Sequence, residues 1–256
     1  EEGSALAVET ALGVLERGVA DGTLDPVALE AAMSAAFSAA RDALGDHAAA
    51  EQAPIAAFHT TLLCAVVTDD AVTLGHIGDG LAVIEDELGE LQTIVLPEHG
   101  EYANSTYFLT QLPQLSDRLH IRSLDRTVRS IALTTDGLLE VAFSDSFGAC
   151  APWGAFFSPL FERIRRESPA VDLRPKLAGL LGSAKIRNQT SDDVTLVIAV
   201  RDHPFDADPA GAPESTDSEP GEAEDASAEP TALADQPESP DHEDRSTVKD
   251  DVSASP

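Results

Sequence analysis

Apolar residues open the chain at alternating spacings of three and four. Ala5, Val8, Leu12, Leu15 and Val19 mark one helical stripe, with Ser4 placed to cap it and Gly22 just past its end. A second helix is announced by Asp25 as cap and Pro26 as first helical residue. Its stripe is Leu29, Met33, Phe37, Ala40 and Leu44, and Met and Phe at that spacing belong to a core rather than a cofactor pocket. After Pro54 the period changes. Residues 57–67 are rich in strand formers, with Asp69-Asp70 as a turn behind them. Residues 72–77 and 81–84 read as short strands around Gly78-Asp79-Gly80, which reads as a hairpin turn. Residues 91–96 form another candidate strand, and 127–134 a further one running into Asp136-Gly137. Residues 154–166 and 173–181 read as helices. Residues 194–200 read as a last strand, with Val194, Leu196, Ile198 and Val200 on one face. No internal repeat is visible. Helix pair, strands, helix pair, strand, joined largely by hairpins, predicts antiparallel sheets with helices layered outside.

Charge divides the chain in two. The 256 residues carry a formal net charge of −30. Residues 202–256 hold 17 acidic side chains against Arg245 and Lys249, which leaves half of the excess on residues 1–201. The tail also holds half of the 16 prolines and one aromatic, Phe205. Such a segment cannot bury enough apolar surface to offset its ordering entropy, so 202–256 is expected to be disordered, as a solubilising tail or as an arm for a basic partner. Residues 1–201 suffice for one core. The acidic balance argues against a nucleic-acid or anionic-membrane binder, which needs positive charge. No run of about 18 apolar residues exists to span a membrane. Cys64 and Cys150 cannot build a disulfide framework, and this usage suits a reducing cytoplasm.

Three stretches place an Asp beside a strand end: Gly78-Asp79-Gly80, Thr134-Thr135-Asp136-Gly137 and Ser191-Asp192-Asp193-Val194-Thr195. Carboxylates on rigid strand ends are hard oxygen ligands suited to Mg²⁺ or Mn²⁺. Glycine beside them lets the backbone turn tightly. Singly, each stretch reads equally as a turn or a solvated corner. Together and in this order they resemble the metal-dependent protein phosphatases of the 2C type, in a bacterial subgroup. Thr60-Thr61-Leu62-Leu63 resembles the Thr-rich strand of that family, and residues 100–110 a stretch of the subgroup.

The resemblance covers nearly all of residues 1–201. It implies an α+β fold, a four-layer α-β-β-α sandwich of two mainly antiparallel sheets flanked by helices. It implies two Mn²⁺ or Mg²⁺ ions at one end of the sandwich and a metal-bridging water that attacks phosphoserine or phosphothreonine in proteins, with no catalytic side-chain nucleophile. Two cations can acidify water, orient phosphate and neutralise developing charge. Asp136 and Asp192 match the family's metal-ligating positions. Gly137, Asp193 and Asp79 match positions that support the site, and Asp193 stands where many members have Asn. Asn104 and Thr106 are candidates for the mouth of the site. His59, His76 and His99 lack ligand spacing, and His76 reads as a structural histidine. Implied partners are phosphorylated proteins and a cognate Ser/Thr kinase, with no nucleic acid or membrane, for a cytoplasmic monomer.

One departure stands out. The family's first Asp-Gly motif precedes the helix that here holds Ser4, so it would lie upstream of Glu1. Its Asp bridges the two metals in the family. The expectation is therefore a domain lacking its N-terminal strands, with an unpaired sheet edge and little activity. Two readings stand open: a truncated product of a complete phosphatase, which a start in mid-motif without Met favours, or a pseudophosphatase that binds phosphoprotein or metal without turnover.

Overall fold

The computed structural model describes residues 2–20, 25–98, 106–111, 115–144, 150–167 and 171–201. The tail from 202 onward and Gly22 lie outside the described residues.

Helix α1 runs Glu2–Ala20 and α2 runs Pro26–Ala50. The Asp25 carboxylate accepts the Ala28 N–H at 3.0 Å and caps α2, with Pro26 at the first position as expected. All five predicted stripe residues of α2 are buried. The stripe of α1 is not the one the apolar spacing predicts. Ser4 lies inside the helix, and Val8 and Leu12 are exposed. The buried line is instead Gly3, Ala7, Ala11 and Leu15. Small residues are selected there because backbones approach closely: a Cβ on Gly3 would sit 3.0 Å from the Phe58 carbonyl oxygen, and one on Gly18 would sit 3.2 Å from the Ala32 Cβ.

A short 3₁₀ turn, Ile55–Phe58, takes the first residues of the predicted 57–67 strand. Strand β1 is Leu62–Val67 and pairs antiparallel through a hairpin with β2, Val72–Ile77. Strand β3, Leu81–Glu85, does not pair with β2, so Gly78-Asp79-Gly80 is not a hairpin. It is a crossover from one sheet to the other. Strand β3 pairs instead with β4, Leu91–Val95, and with β6, Ser130–Thr134. The predicted strand at 127–134 thus begins three residues late. Strand β5, His120–Leu124, has no counterpart in the sequence reading. The last long strand, β9, is Leu196–Val200 and pairs with β6. The two sheets have the orders β1-β2-β5 and β4-β3-β6-β9, all antiparallel. Strands β1 and β9 are edges.

After β6 the chain makes a 3₁₀ turn, Asp136–Leu138, and a single helical turn, α3, Leu139–Ala142. A small ribbon follows, β7 (Phe143–Ser144) with β8 (Ala151–Pro152). Helices α4 (Gly154–Arg166), α5 (Arg174–Leu181) and α6 (Ala184–Arg187) complete the outer layer.

Three apolar clusters correspond to the three interfaces of a four-layer sandwich. Ala7, Ala11, Met33 and Phe37 pack with Leu62, Cys64 and Ile77 between the first helices and the first sheet. Val72, Leu74, Ala82, Ile84, Ile94 and Ile131 fill the space between the sheets. Phe157 and Phe161 of α4 pack with Leu81, Val83, Ala132 and Leu196 on the outside of the second sheet. Each buried Leu, Phe or Ile contributes about 1.5–3 kcal/mol. Alternate residues of β3 and β6 serve different interfaces, which is the period of two read through two cores.

Candidate metal centre

Register brings the three Asp-bearing stretches to one end of the second sheet. Thr134 at the end of β6 pairs with Leu81 at the start of β3 and with Leu196 at the start of β9. The residues just before β3, just after β6 and just before β9 therefore converge. Asp79 precedes β3, Asp136 follows β6, and Asp192 and Asp193 precede β9. The Thr60-Thr61 segment reaches the same end, since Leu62 pairs with Ile77.

Backbone and hydroxyl contacts set these loops against one another. The Thr135 N–H donates to the Thr195 carbonyl at 3.3 Å. The Thr195 N–H donates to Thr135 Oγ1 at 3.0 Å, and that hydroxyl donates to the Asp193 carbonyl at 3.2 Å. Thr134 Oγ1 donates to the Thr195 carbonyl at 2.9 Å. The β6 end and the Asp192-Asp193 loop are thus sewn together by two threonines. Gly137 has a steric reason: a Cβ there would run into the Asp193 carbonyl. The glycine of the Asp-Gly pair lets the second Asp loop lie directly over the first. Gly78, at φ +108°, is in the region open to glycine, and a Cβ there would strike the Thr61 side chain.

Asp136 is half-buried at the start of its 3₁₀ turn. Burial first, then the charges of Asp79 and Asp192, push its pKa above the ordinary carboxylate value; hydrogen bonds from the Gly137 and Asp136 backbone work the other way. Burial and nearby like charges both disfavour the ionised carboxylate. Asp79 is half-buried, while Asp192 and Asp193 are exposed. The Asp193 N–H donates to Asp192 Oδ1 at 2.8 Å, and Thr190 Oγ1 accepts the Asp192 N–H at 3.1 Å, so the carboxylate and its loop are held locally. Arg187 reaches only the Asp192 carbonyl, at 3.4 Å. Among the described residues, none of the four aspartates makes an ion pair with Lys or Arg.

The remaining site candidates divide. Asn104 lies outside the described residues, as do residues 100–105 of the stretch tied to the bacterial subgroup. Thr106 is described, and its hydroxyl donates to the Glu98 carbonyl at 3.3 Å. The segment after it reaches the same end of the sandwich: the Leu109 N–H donates to the Thr60 carbonyl at 2.8 Å. His76 is buried, and His59 stacks on Phe108 with ring centroids 5.0 Å apart.

Carboxylate oxygens brought to one rigid end of the second sheet and short of protein cations suit a hard divalent ion. Fold and site together define the class, a metal-dependent protein phosphatase. Residues 1–182 match the family Protein phosphatase 2C. The chain is 30% identical over 204 residues to Serine/threonine-protein phosphatase 3 of Escherichia coli K12, covering 78% of this chain and 77% of that one. Among solved structures, the fold is similar to PppA, described as a key regulatory component of the type VI secretion system in Pseudomonas aeruginosa. That match has a TM-score of 0.52, with 16% identity over 78% of this chain and 79% of that one. It is also similar to the catalytic domain of the serine/threonine phosphatase PstP in complex with two manganese ions. Here the TM-score is 0.50, with 19% identity over 77% of this chain and 80% of that one. The chain belongs to the protein phosphatase 2C family, which uses Mn²⁺ or Mg²⁺ and acts on phosphoproteins.

Among the described residues, no helix is long and apolar enough to cross a membrane.

Proposed function

We propose that Asp136 and Asp192 hold Mn²⁺ or Mg²⁺ and that this centre hydrolyses phosphoserine and phosphothreonine in proteins. The observation that carries the reading is the register that brings Asp79, half-buried Asp136 and Asp192 to one end of the second sheet, where among the described residues no Lys or Arg pairs with them. When bound, the ion supplies charge neutralisation for the phosphate and a lowered pKa for water. The chain's own part is positioning. Thr134 and Thr135 fix the distance between the two Asp loops. Gly137 permits their close approach. The Asp193 N–H orients the Asp192 carboxylate, and Asp79, on the crossover from β2, adds negative charge behind Asp136. Thr106 lies on the neighbouring segment, at the mouth.

The natural full-length protein tests this. Hydrolysis of a phosphothreonine peptide is followed across a Mn²⁺ titration. Asp192→Asn is expected to raise the Mn²⁺ concentration for half-maximal rate at least about tenfold. An unchanged titration removes Asp192 from the ligands. We place the protein in the cytoplasm as a monomer, opposed to a Ser/Thr kinase that supplies its phosphorylated substrates. Residues 202–256, with their 17 acidic side chains, lie outside the described residues.

A further inference from the structure

Positive charge gathers in the outer layer over the second sheet. Residues 163–187 hold seven of the 16 Lys and Arg side chains of a chain with net charge −30, against two acidic ones, Glu167 and Asp172. Most of the seven are spent within the fold. Arg163 and Lys176 pair with Glu167, Arg174 with Asp172, Arg166 with Glu162, and Arg165 with Glu162 and Glu85. The two that remain are Lys185 and Arg187, both exposed on α6. Among the described residues neither pairs with a carboxylate.

Both stand beside the aspartate end of the sandwich. Helix α6 leads directly into the loop that carries Asp192. Ile186 is 2% exposed and anchors this helical turn, so Lys185 and Arg187 leave on either side of it. Arg187 Nη1 donates to the Asp192 carbonyl at 3.4 Å, a main-chain contact that leaves the guanidinium charge unmatched. On the other side, Lys185 Nζ lies 5.9 Å from the ring centre of Trp153, which is 46% exposed at the start of α4. Two cations and an indole thus make a track from the Asp192 loop across α6 to α4. We propose, on the strength of the phosphoprotein reading above, that this track binds acidic residues flanking the phosphorylated side chain, so that Lys185 and Arg187 select acidic phosphoprotein substrates.

The chemistry suits carboxylates. A guanidinium offers a planar fork of donors that a carboxylate can meet with both oxygens, and an ammonium offers a compact charge. An extended chain advances about 3.3 Å per residue. Positions 185 and 187 lie less than one helical turn apart, and a turn rises about 5.4 Å. The two cations therefore meet residues within about three positions of a phosphorylated side chain held at the Asp192 loop. Asp192 and Asp193 are exposed and repel an acidic chain, so attraction is met only by a chain that crosses α6. A basic segment laid on the same track faces the two cations instead. A purely structural Arg187, propping the Asp192 carbonyl, would need a donor there but no charge.

Two phosphothreonine peptides test the track in the full-length protein, one flanked by Asp and one by Asn. The Asp peptide is expected to have a KM about fivefold lower, at equal kcat. Nonhydrolysable phosphonate counterparts, titrated in Mg²⁺ by calorimetry and by the fluorescence of Trp153, should show the same ratio in binding. Lys185→Gln combined with Arg187→Gln removes both charges and keeps a donor near the Asp192 carbonyl. This variant is expected to bring the two peptides to equal KM and equal affinity, with kcat and the Mn²⁺ titration unmoved. Salt at about 0.5 M should erase the preference of the wild type in the same way. A wild type indifferent to the flanks, a preference that survives the double substitution, an equal loss for both peptides, or a shifted Mn²⁺ titration overturns the proposal. Asp192→Asn scores metal ligation separately, so either reading can fail without the other.

Discussion

Strand β3 has a carboxylate at each end, and the two are treated in opposite ways. At its far end Glu85 is 6% exposed. Ser130 Oγ donates to Glu85 Oε2, Arg165 Nη2 lies 2.5 Å from the same oxygen, and Arg129 stands 4.0 Å from the other. Arg165 is itself tied to Glu162 on its own helix. That charge is matched from within the chain, by Ser130 of β6, Arg129 just before it and Arg165 of α4. At the near end Asp79 stands with Asp136 and Asp192, and among the described residues no Lys or Arg answers them. Removing one partner of a buried pair leaves an uncompensated charge, which is strongly destabilising. The near end has no such partner, and its carboxylates are half-buried or exposed. One strand thus separates a carboxylate paired within the fold from carboxylates that no Lys or Arg pairs with among the described residues.

The sharpest way to break the comparison is Asp136→Asn. Mn²⁺-dependent hydrolysis by the full-length protein is expected to fall by about 10³-fold or more, while the metal-free protein gains stability. The sign follows from linkage. A carboxyl whose folded pKa is raised holds its proton longer in the folded state, so stability is lost as pH rises from the ordinary value through the raised one. In metal-free urea melts, the advantage of Asp136→Asn over the wild type should therefore be absent at pH 3 and grow toward neutral pH. A variant less stable than wild type at pH 7 contradicts the crowding. Next in size is Arg165→Met, which strips the far end of its main partner. It should cost about 3 kcal/mol, with activity per folded molecule unchanged; a loss below about 1 kcal/mol would mean Arg129 suffices. Gly137→Ala sets a methyl group against the Asp193 carbonyl. A cost of about 2 kcal/mol is expected, accompanied by weaker Mn²⁺ binding, because the Asp192 loop must lift. The smallest effect is Thr135→Val, which removes a hydroxyl that both donates and accepts. About 1 kcal/mol is expected in urea melts, with a few-fold shift in the Mn²⁺ titration that a purely structural threonine would not produce.

Much of this was legible in the residues, for identifiable reasons. Helix α2 announced itself because Asp25 and Pro26 act locally and because its stripe is made of large side chains. Helix α1 was recognised, but its face was misread. Apolar periodicity weighs Val8 and Leu12 above Gly3, Ala7 and Ala11, whereas the packing needed small residues where backbones nearly touch. Gly78-Asp79-Gly80 has the composition of a hairpin turn, and nothing local distinguishes that from a crossover. Which strand β3 pairs with is decided by distant partners on β4 and β6. Strand β5 escaped notice because His120, Arg122 and Ser123 interrupt its apolar pattern; its pairing with β2 carries it. Asp136 and Asp192 were singled out through ordered motifs, and the strand register brings both to one end of the second sheet. The contribution of Thr134 and Thr135 was missed, since a threonine that sews two loops together looks like any strand residue. The unmatched charge of Lys185 and Arg187 was also out of reach, because a missing partner shows only in three dimensions.

The pairing of β9 with β6 joins residues far apart in the chain, Leu196 with Thr134 for one. Asp192 stands just before that last strand. A chain still leaving the ribosome, or one with β9 undocked, already has Asp79 and Asp136 but has no second wall for the proposed cation. The ion can be caged only after the final strand has found its place. If Asp192 holds the ion as proposed, possession of the metal certifies a docked β9, and copies without it are denied the chemistry.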